Sequence, residues 1–228
     1  MKKVAIGVLF VTLTASDLLS STVSGTVTFL TRRGQRVNPA ETLIWLEPAR
    51  GTKVPKKDQA SQTNPAVVST QGKALQPHVT AIPTGSSVQF PNEDPISHNL
   101  FSVSASNQFD LGLYRKGAGK VQHFSKPGIV NVYCNVHPNM SAVIHVMETP
   151  YYTFADAKGA FTLADVAPGK YALLAWTEQA GVTRKEIEVA SDVVSGLAVE
   201  LDGRNYRASQ KHLNKHGKPY QTRDSKDY

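Results

Sequence analysis

At 228 residues the chain is long enough for one large β domain or two small ones, and 40% hydrophobic with 19% charged residues describes a folded protein rather than a disordered one. The net charge of +7 favours an acidic partner or surface, yet no basic face interleaved with aromatics argues for nucleic acid. Thirteen prolines and sixteen glycines, scattered between short apolar runs, favour strands and turns over helices.

The N-terminus reads as an export signal, residues 1–22: Lys2 and Lys3, an apolar stretch from Val4 to Ala15, then a serine-rich segment ending near Ser24. That stretch is too short to span a bilayer, so cleavage between Ser16 and Ser24 is expected. The implied mature protein is soluble and periplasmic, with no membrane span. Residues 23–30 (VSGTVTFL) and 42–46 (TLIWL) have the Val, Ile, Thr and aromatic content of short strands. Residues 49–64 are polar and lysine-rich, as expected of a long loop or linker.

Further strands are expected at residues 66–70, 78–82, 87–90, 128–133 and 142–147. In the last of these, Ala142, Ile144 and Val146 alternate with Val143, His145 and Met147. Residues 151–201 are again rich in strand signals, punctuated by turns at 156–159 and 167–169. No strand and long helix alternate anywhere, so the fold class is all-β. Residues 204–228 carry seven Lys and Arg and are expected to form a solvated, loosely ordered tail.

Cys134 is the only cysteine, so no internal disulfide can form, and a lone thiol in an oxidising compartment needs an occupant. Cys134, His137 and Met140 follow one another at three-residue intervals on a loop between two expected strands. Thiolate, imidazole and thioether together select copper over calcium, magnesium or manganese, and a second imidazole would complete a trigonal plane with a weak axial methionine. His98, in the loop Phe90-Pro-Asn-Glu-Asp-Pro-Ile-Ser-His98-Asn99, is the candidate.

Competing readings start from the same residues. A free cysteine is most often a small core hydrophobe, and Cys with His can be a nucleophile and its base. Four compatible donors on two loops argue against the first; the absence of an oxyanion-forming segment or an orienting third group argues against the second. Structural zinc prefers more thiolates, and methionine ligates zinc poorly.

The same residues resemble the cupredoxin family: Cys134-x-x-His137-x-x-Met140, with an upstream Phe-Pro-Asn and His98-Asn99, has the ligand spacing of its amicyanin-like members. The resemblance covers roughly residues 64–147. It implies a Greek-key β-sandwich and one type 1 copper per chain on His98, Cys134, His137 and Met140, with Asn99 hydrogen-bonding across to steady the cysteine loop. Residues 25–46 and 151–201 resemble, in two pieces, the carboxypeptidase regulatory-like, transthyretin-type β-sandwich. The matching features are Gly25-Thr-Val, Asn38-Pro-Ala, Asp156-Ala-Lys-Gly-Ala-Phe161 and Val166-Ala-Pro-Gly-Lys-Tyr171. The implied organisation is a sandwich of residues 23–63 and 148–203 interrupted by a cupredoxin domain at 64–147.

His78, His123 and His145 are expected to be structural or surface residues, and Trp45 and Trp176 core. Glu93 and Asp94 are expected only to shape the loop before His98. His212 and His216 belong to the solvated tail. Gly117-Ala-Gly119-Lys120 lacks the Ser/Thr and the context of a phosphate loop. A closed ligand set leaves no position for substrate, so the expected function is single-electron transfer to a redox partner protein rather than catalysis. Copper handling in the periplasm is the second reading, and a metal-free binding sandwich the third.

Overall fold

The computed structural model describes residues 20–54, 64–190, 193–207 and 212–220. Most of the expected signal and residues 55–63 of the expected linker lie outside them. The chain is all-β, and the helical structure among the described residues is a 3-10 turn at Pro39–Glu41. The first strands are β1 (Ser21–Leu30) and β2 (Leu43–Pro48), followed by β3 (Ala66–Val67), β4 (Ser69–Gln71), β5 (Ala74–Gln76) and β6 (Val79–Pro83). Next come β7 (Ser86–Asn92), β8 (Leu100–Ser102), β9 (Phe109–Asp110), β10 (Gly117–Phe124), β11 (Gly128–Cys134) and β12 (Ser141–Met147). The last five are β13 (Tyr152–Phe154), β14 (Ala160–Val166), β15 (Gly169–Thr177), β16 (Gly181–Val189) and β17 (Val194–Asp202).

The described strands form four sheets. Two come from the middle of the chain, ordered β10-β7-β4-β5 (with β3 also on β7) and β6-β12-β11-β8-β9. The other two, β14-β1-β17 and β13-β2-β15-β16, draw strands from both sides of that middle segment. The middle sheets enclose a core that includes Phe90, Leu100, Phe124, Val132, Cys134, Met140 and Ile144. The outer pair encloses another, built on Val23, Ile44, Leu46, Tyr171, Leu173 and Leu201.

A third apolar layer joins the two sandwiches, and side-chain alternation explains it. On β12, Ala142, Ile144 and Val146 enter the middle core, while Val143 and Met147 face the other way. On β15, Tyr171, Leu173 and Ala175 enter the outer core, while Ala172, Leu174 and Trp176 face Val143 and Met147. Leu43 and Trp45 of β2 complete this seam. Strands buried on both faces read as unbroken apolar runs, which is why LIWL and YALLAW do not alternate. Trp45 and Trp176 are thus core residues, but of the seam. His145 joins them, with its ring edge-on to Trp176 at 4.3 Å between centroids.

Strand β10 was not legible in the sequence. Its residues GAGKVQHF are mostly exposed, so it lies at a sheet edge and carries no apolar face. The ladder to β7 is offset between Gly117 and Lys120, and Gly119 sits at φ +71°. A Cβ there would fall 1.7 Å from the Phe90 carbonyl oxygen, so only glycine lets the bulged edge close on β7. At the chain start, β1 begins at Ser21 rather than residue 23, because Ser21 pairs with Val166 and its hydroxyl donates to the Ala190 carbonyl at 2.7 Å.

Candidate metal centre

Two loops meet at one end of the middle sandwich. The first links β7 to β8. The buried Asn92 organises it: its Oδ1 accepts from the Thr70 hydroxyl at 2.8 Å and from the Asp94 N–H at 2.9 Å, and its amide donates to the Ile96 carbonyl at 2.8 Å. His98 is then held by paired backbone bonds with Tyr114, at 3.0 and 2.9 Å. The second loop runs from Cys134, the last residue of β11, to Met140. The Cys134 N–H donates to the Met140 carbonyl at 3.1 Å and the Met140 N–H to the His137 carbonyl at 3.2 Å, folding the loop back on itself. The Asn135 N–H donates to the Asn99 carbonyl at 2.8 Å and ties the loops together.

This arrangement brings His98, Cys134 and His137 into one cluster, their donor atoms all within 4.8 Å of one another. The Nδ1 atoms of both histidines lie 3.7 Å from the Cys134 sulfur. Metal–sulfur and metal–nitrogen bonds of about 2.3 and 2.0 Å meeting at about 120° place the donor atoms about 3.7 Å apart; a tetrahedral angle gives about 3.5 Å. The spacing therefore suits one ion shared by the thiolate and both imidazoles. Cys134 and His98 are fully buried, and Met140 is buried in the core beneath the loop. His137 is half-buried beside the exposed Val136, so it is the histidine of the pair that reaches the surface.

Electrostatics support a thiolate. Burial pushes the Cys134 thiol up, but the hydrogen bond with His98 and the backbone N–H groups of Asn99, Val136 and His137 outweigh it, and the net direction is down. The Val136 N–H lies 3.4 Å from the sulfur. Burial also opposes the charged form of His98, yet Cys134 and Asp94 raise it overall. For His137 burial acts first, the charge of His98 adds to it, and its proton affinity falls.

Asp94 does more than the sequence reading expects. Its Oδ2 lies 2.9 Å from His98 Nε2. A carboxylate bound to the backbone N–H groups of Gly72 at 2.7 Å and Lys73 at 2.9 Å is ionised and can only accept, so Nε2 carries the hydrogen. Burial raises Asp94, and the Lys73, Gly72 and His98 bonds bring it net down. Nδ1 is thereby the ring nitrogen of His98 that faces Cys134: with a proton it donates to the thiolate, and without one it can present its lone pair to a metal. A carboxylate behind a histidine in this way fixes the tautomer and increases ligand basicity. The only sequence signal was an acid four residues before the histidine.

Two expectations need correction. The Asn99 side chain does not cross to the cysteine loop: its amide donates to Asp110 Oδ1 at 2.6 Å, and the backbone carbonyl makes the link to Asn135. Nor are residues 212–220 a solvated tail. The His212 ring stacks on Tyr133 at 4.4 Å, and the Tyr220 hydroxyl donates to the Cys134 carbonyl at 2.6 Å. A basic composition alone does not reveal that His212 and Tyr220 find aromatic and carbonyl partners on β11.

Comparison with known proteins finds one family model and several solved structures similar to parts of the chain. Residues 138–197, mainly strands of the outer sandwich, match the family described as polysaccharide lyase family 4, domain II. No curated protein sequence matches the chain. Among solved structures, an oxidised amicyanin variant is 17% identical over 39% of this chain and 89% of its own, with a TM-score of 0.35. A purple cupredoxin from Nitrosopumilus maritimus is 22% identical over 36% and 99%, at 0.31. A copper-containing nitrite reductase from Thermus scotoductus is 25% identical over 54% of this chain and 28% of its own, at 0.36. Among the described residues no helix is long and apolar enough to cross a membrane.

Proposed function

We propose that the chain is an exported type 1 copper protein that carries single electrons between redox partners. The observation that carries this reading is the convergence of His98, Cys134 and His137, with 3.7 Å from sulfur to the Nδ1 of each histidine. Copper bound there supplies a one-electron Cu(I)/Cu(II) couple. Cys134 would give the thiolate, His98 and His137 the imidazoles, and Met140 a thioether. Asp94 holds His98 from behind, and the Val136 N–H moderates the charge on the Cys134 sulfur. Because both loops are tied to each other and to the sheets before any metal binds, the ligand geometry changes little between oxidation states. His137, half-buried at the surface, offers the short route to a partner.

With four ligands from the chain, no position remains for a substrate, so the protein is read as a carrier and not an enzyme. The division into a middle unit at 64–147 and a two-piece sandwich at 23–63 and 148–203 belongs to the same reading, with the outer sandwich presenting the copper unit to its partner. Loading with Cu(II) is expected to give one copper per chain and an intense thiolate-to-copper absorption in the visible. Cys134→Ser is expected to remove the absorption while the fold, followed by circular dichroism, persists. A colourless wild-type protein that retains only Cu(I) would instead indicate copper handling, and one that retains no copper would defeat both readings.

A further inference from the structure

Residues 212–220 form a small self-contained loop. Asn214 Oδ1 accepts from the His216 N–H at 2.9 Å and the Lys218 N–H at 3.0 Å, and Asn214 and Lys218 also pair through the backbone at 2.9 Å. The Lys215 N–H donates to Asn135 Oδ1 at 3.1 Å, and the Tyr220 hydroxyl donates to the Cys134 carbonyl at 2.6 Å. These bonds reach two consecutive residues at the start of the cysteine loop.

The same segment also reaches the other loop. Lys215 Nζ pairs with Asp110 Oδ2 at 2.6 Å, and Asp110 Oδ1 accepts from the Asn99 amide, next to His98. Burial raises the Asp110 carboxyl, but Lys215, the Gly112 N–H and Asn99 together hold it down at about 2, so the acid stays charged. One residue, Lys215, thus touches the cysteine loop with its backbone and the histidine loop's support with its side chain. His212 seats the segment by stacking on Tyr133 and meeting the Tyr220 ring edge-on at 5.4 Å.

We propose that residues 212–220 are a clamp that holds the two copper-bearing loops in register, with Lys215 and Tyr220 as its positioning residues. The clamp rests on the copper reading for what the loops hold, but its mechanical part is independent of metal. Neither residue touches the donor atoms: Tyr220 acts through the Cys134 carbonyl, and Lys215 through Asn135 and Asp110. Restraining the loops slows the opening that releases metal and keeps the site near one geometry in both oxidation states.

The test uses the full chain with Tyr220→Phe and Lys215→Met, singly and combined, and Lys218→Met as a charge-matched control. In the metal-free protein, amide hydrogen exchange at Cys134 and Asn135 is expected to speed up about tenfold in the double variant, the factor that one or two net hydrogen bonds are worth. Exchange at Tyr171 and Leu173, in the core of the outer sandwich, serves as the folding control and is expected to stay unchanged. In the copper-loaded protein, transfer to a chelator is expected to accelerate about tenfold and the reduction potential to move, with Lys218→Met like wild type. Unchanged loop exchange in the double variant, or equal effects from Lys218→Met, would overturn the clamp. Failure of the wild type to bind copper would overturn the parent reading alone, because the exchange arm needs no metal.

Discussion

Asp94→Asn replaces a buried carboxylate by an amide of nearly the same shape, and the structure specifies what is lost. Three N–H donors converge on the two carboxylate oxygens: His98 Nε2 at 2.9 Å, Gly72 at 2.7 Å and Lys73 at 2.9 Å. An amide has one oxygen and a donor group of its own, so at least one of the three loses its acceptor. At a position only 7% exposed, such a loss costs about 1–3 kcal/mol of stability. The charge behind His98 disappears as well. Removing a partner of this kind typically weakens metal binding about 10- to 100-fold. A negative charge stabilises Cu(II) more than Cu(I), so the loss falls mainly on the oxidised form and the reduction potential rises. A tenfold loss confined to Cu(II) corresponds to about 59 mV for one electron. Chelator competition for Cu(II) and for Cu(I), with direct electrochemistry, reads both quantities. If the variant keeps the wild-type potential and Cu(II) affinity, Asp94 only shapes its loop and the electrostatic argument is wrong.

Three other expectations follow from the charged groups and the site. Burial holds His145 down to about 4, whereas an unfolded histidine titrates near 6.5. The unfolded chain therefore binds the proton first, and native stability falls as pH drops from about 6.5 to about 4, by at most about 3 kcal/mol. His145→Phe, which keeps a ring beside Trp176, should flatten the acid limb of a plot of chemical-denaturation stability against pH; an unchanged slope would exclude His145 as its source. The pair His78–Glu178, at 2.8 Å, pins β6 to the turn after β15. Its hydrogen bond to Glu178 raises His78 despite burial, and the same bond lowers Glu178. The histidine contribution is complete below its unfolded value and fades as pH rises through the raised one. The glutamate contribution is complete above its unfolded value and fades as pH falls through the lowered one. Stability lost in His78→Gln should thus be greatest between about pH 4.5 and 6.5 and stay under about 1 kcal/mol because both groups are partly exposed; a larger loss at pH 9 would contradict the pairing. Finally, on the proposed ligand set, in which Met140 supplies a weak thioether and Cys134 the thiolate chromophore, Met140→Leu should leave the visible charge-transfer band in place while raising the potential.

Much of the all-β character was legible from short apolar runs separated by Gly and Pro turns. So were the cysteine and two histidines that the structure brings together, because thiolate and imidazole side chains at this spacing are informative before any fold is known. Local chemistry determines these features: side-chain donor type, strand propensity and turn residues act over a few positions. Strand β10 escaped because an exposed edge has no apolar face to leave a pattern. Strands were expected at β2, β12 and β15, but not their burial on both faces, since that depends on how two sandwiches stack.

The partners of the site lay still further from view. Asp94 reads as an ordinary loop acid until Gly72 and Lys73, more than twenty residues away, give it donors beside His98. Lys215 and Tyr220 read as a solvated basic tail until the chain returns to within hydrogen-bond distance of Asn135 and Cys134. By itself the sequence determined which atoms could bind a metal. Tertiary structure decided which of them meet, which tautomer His98 presents and what holds the loops, because each of these depends on pairings between residues far apart in the chain.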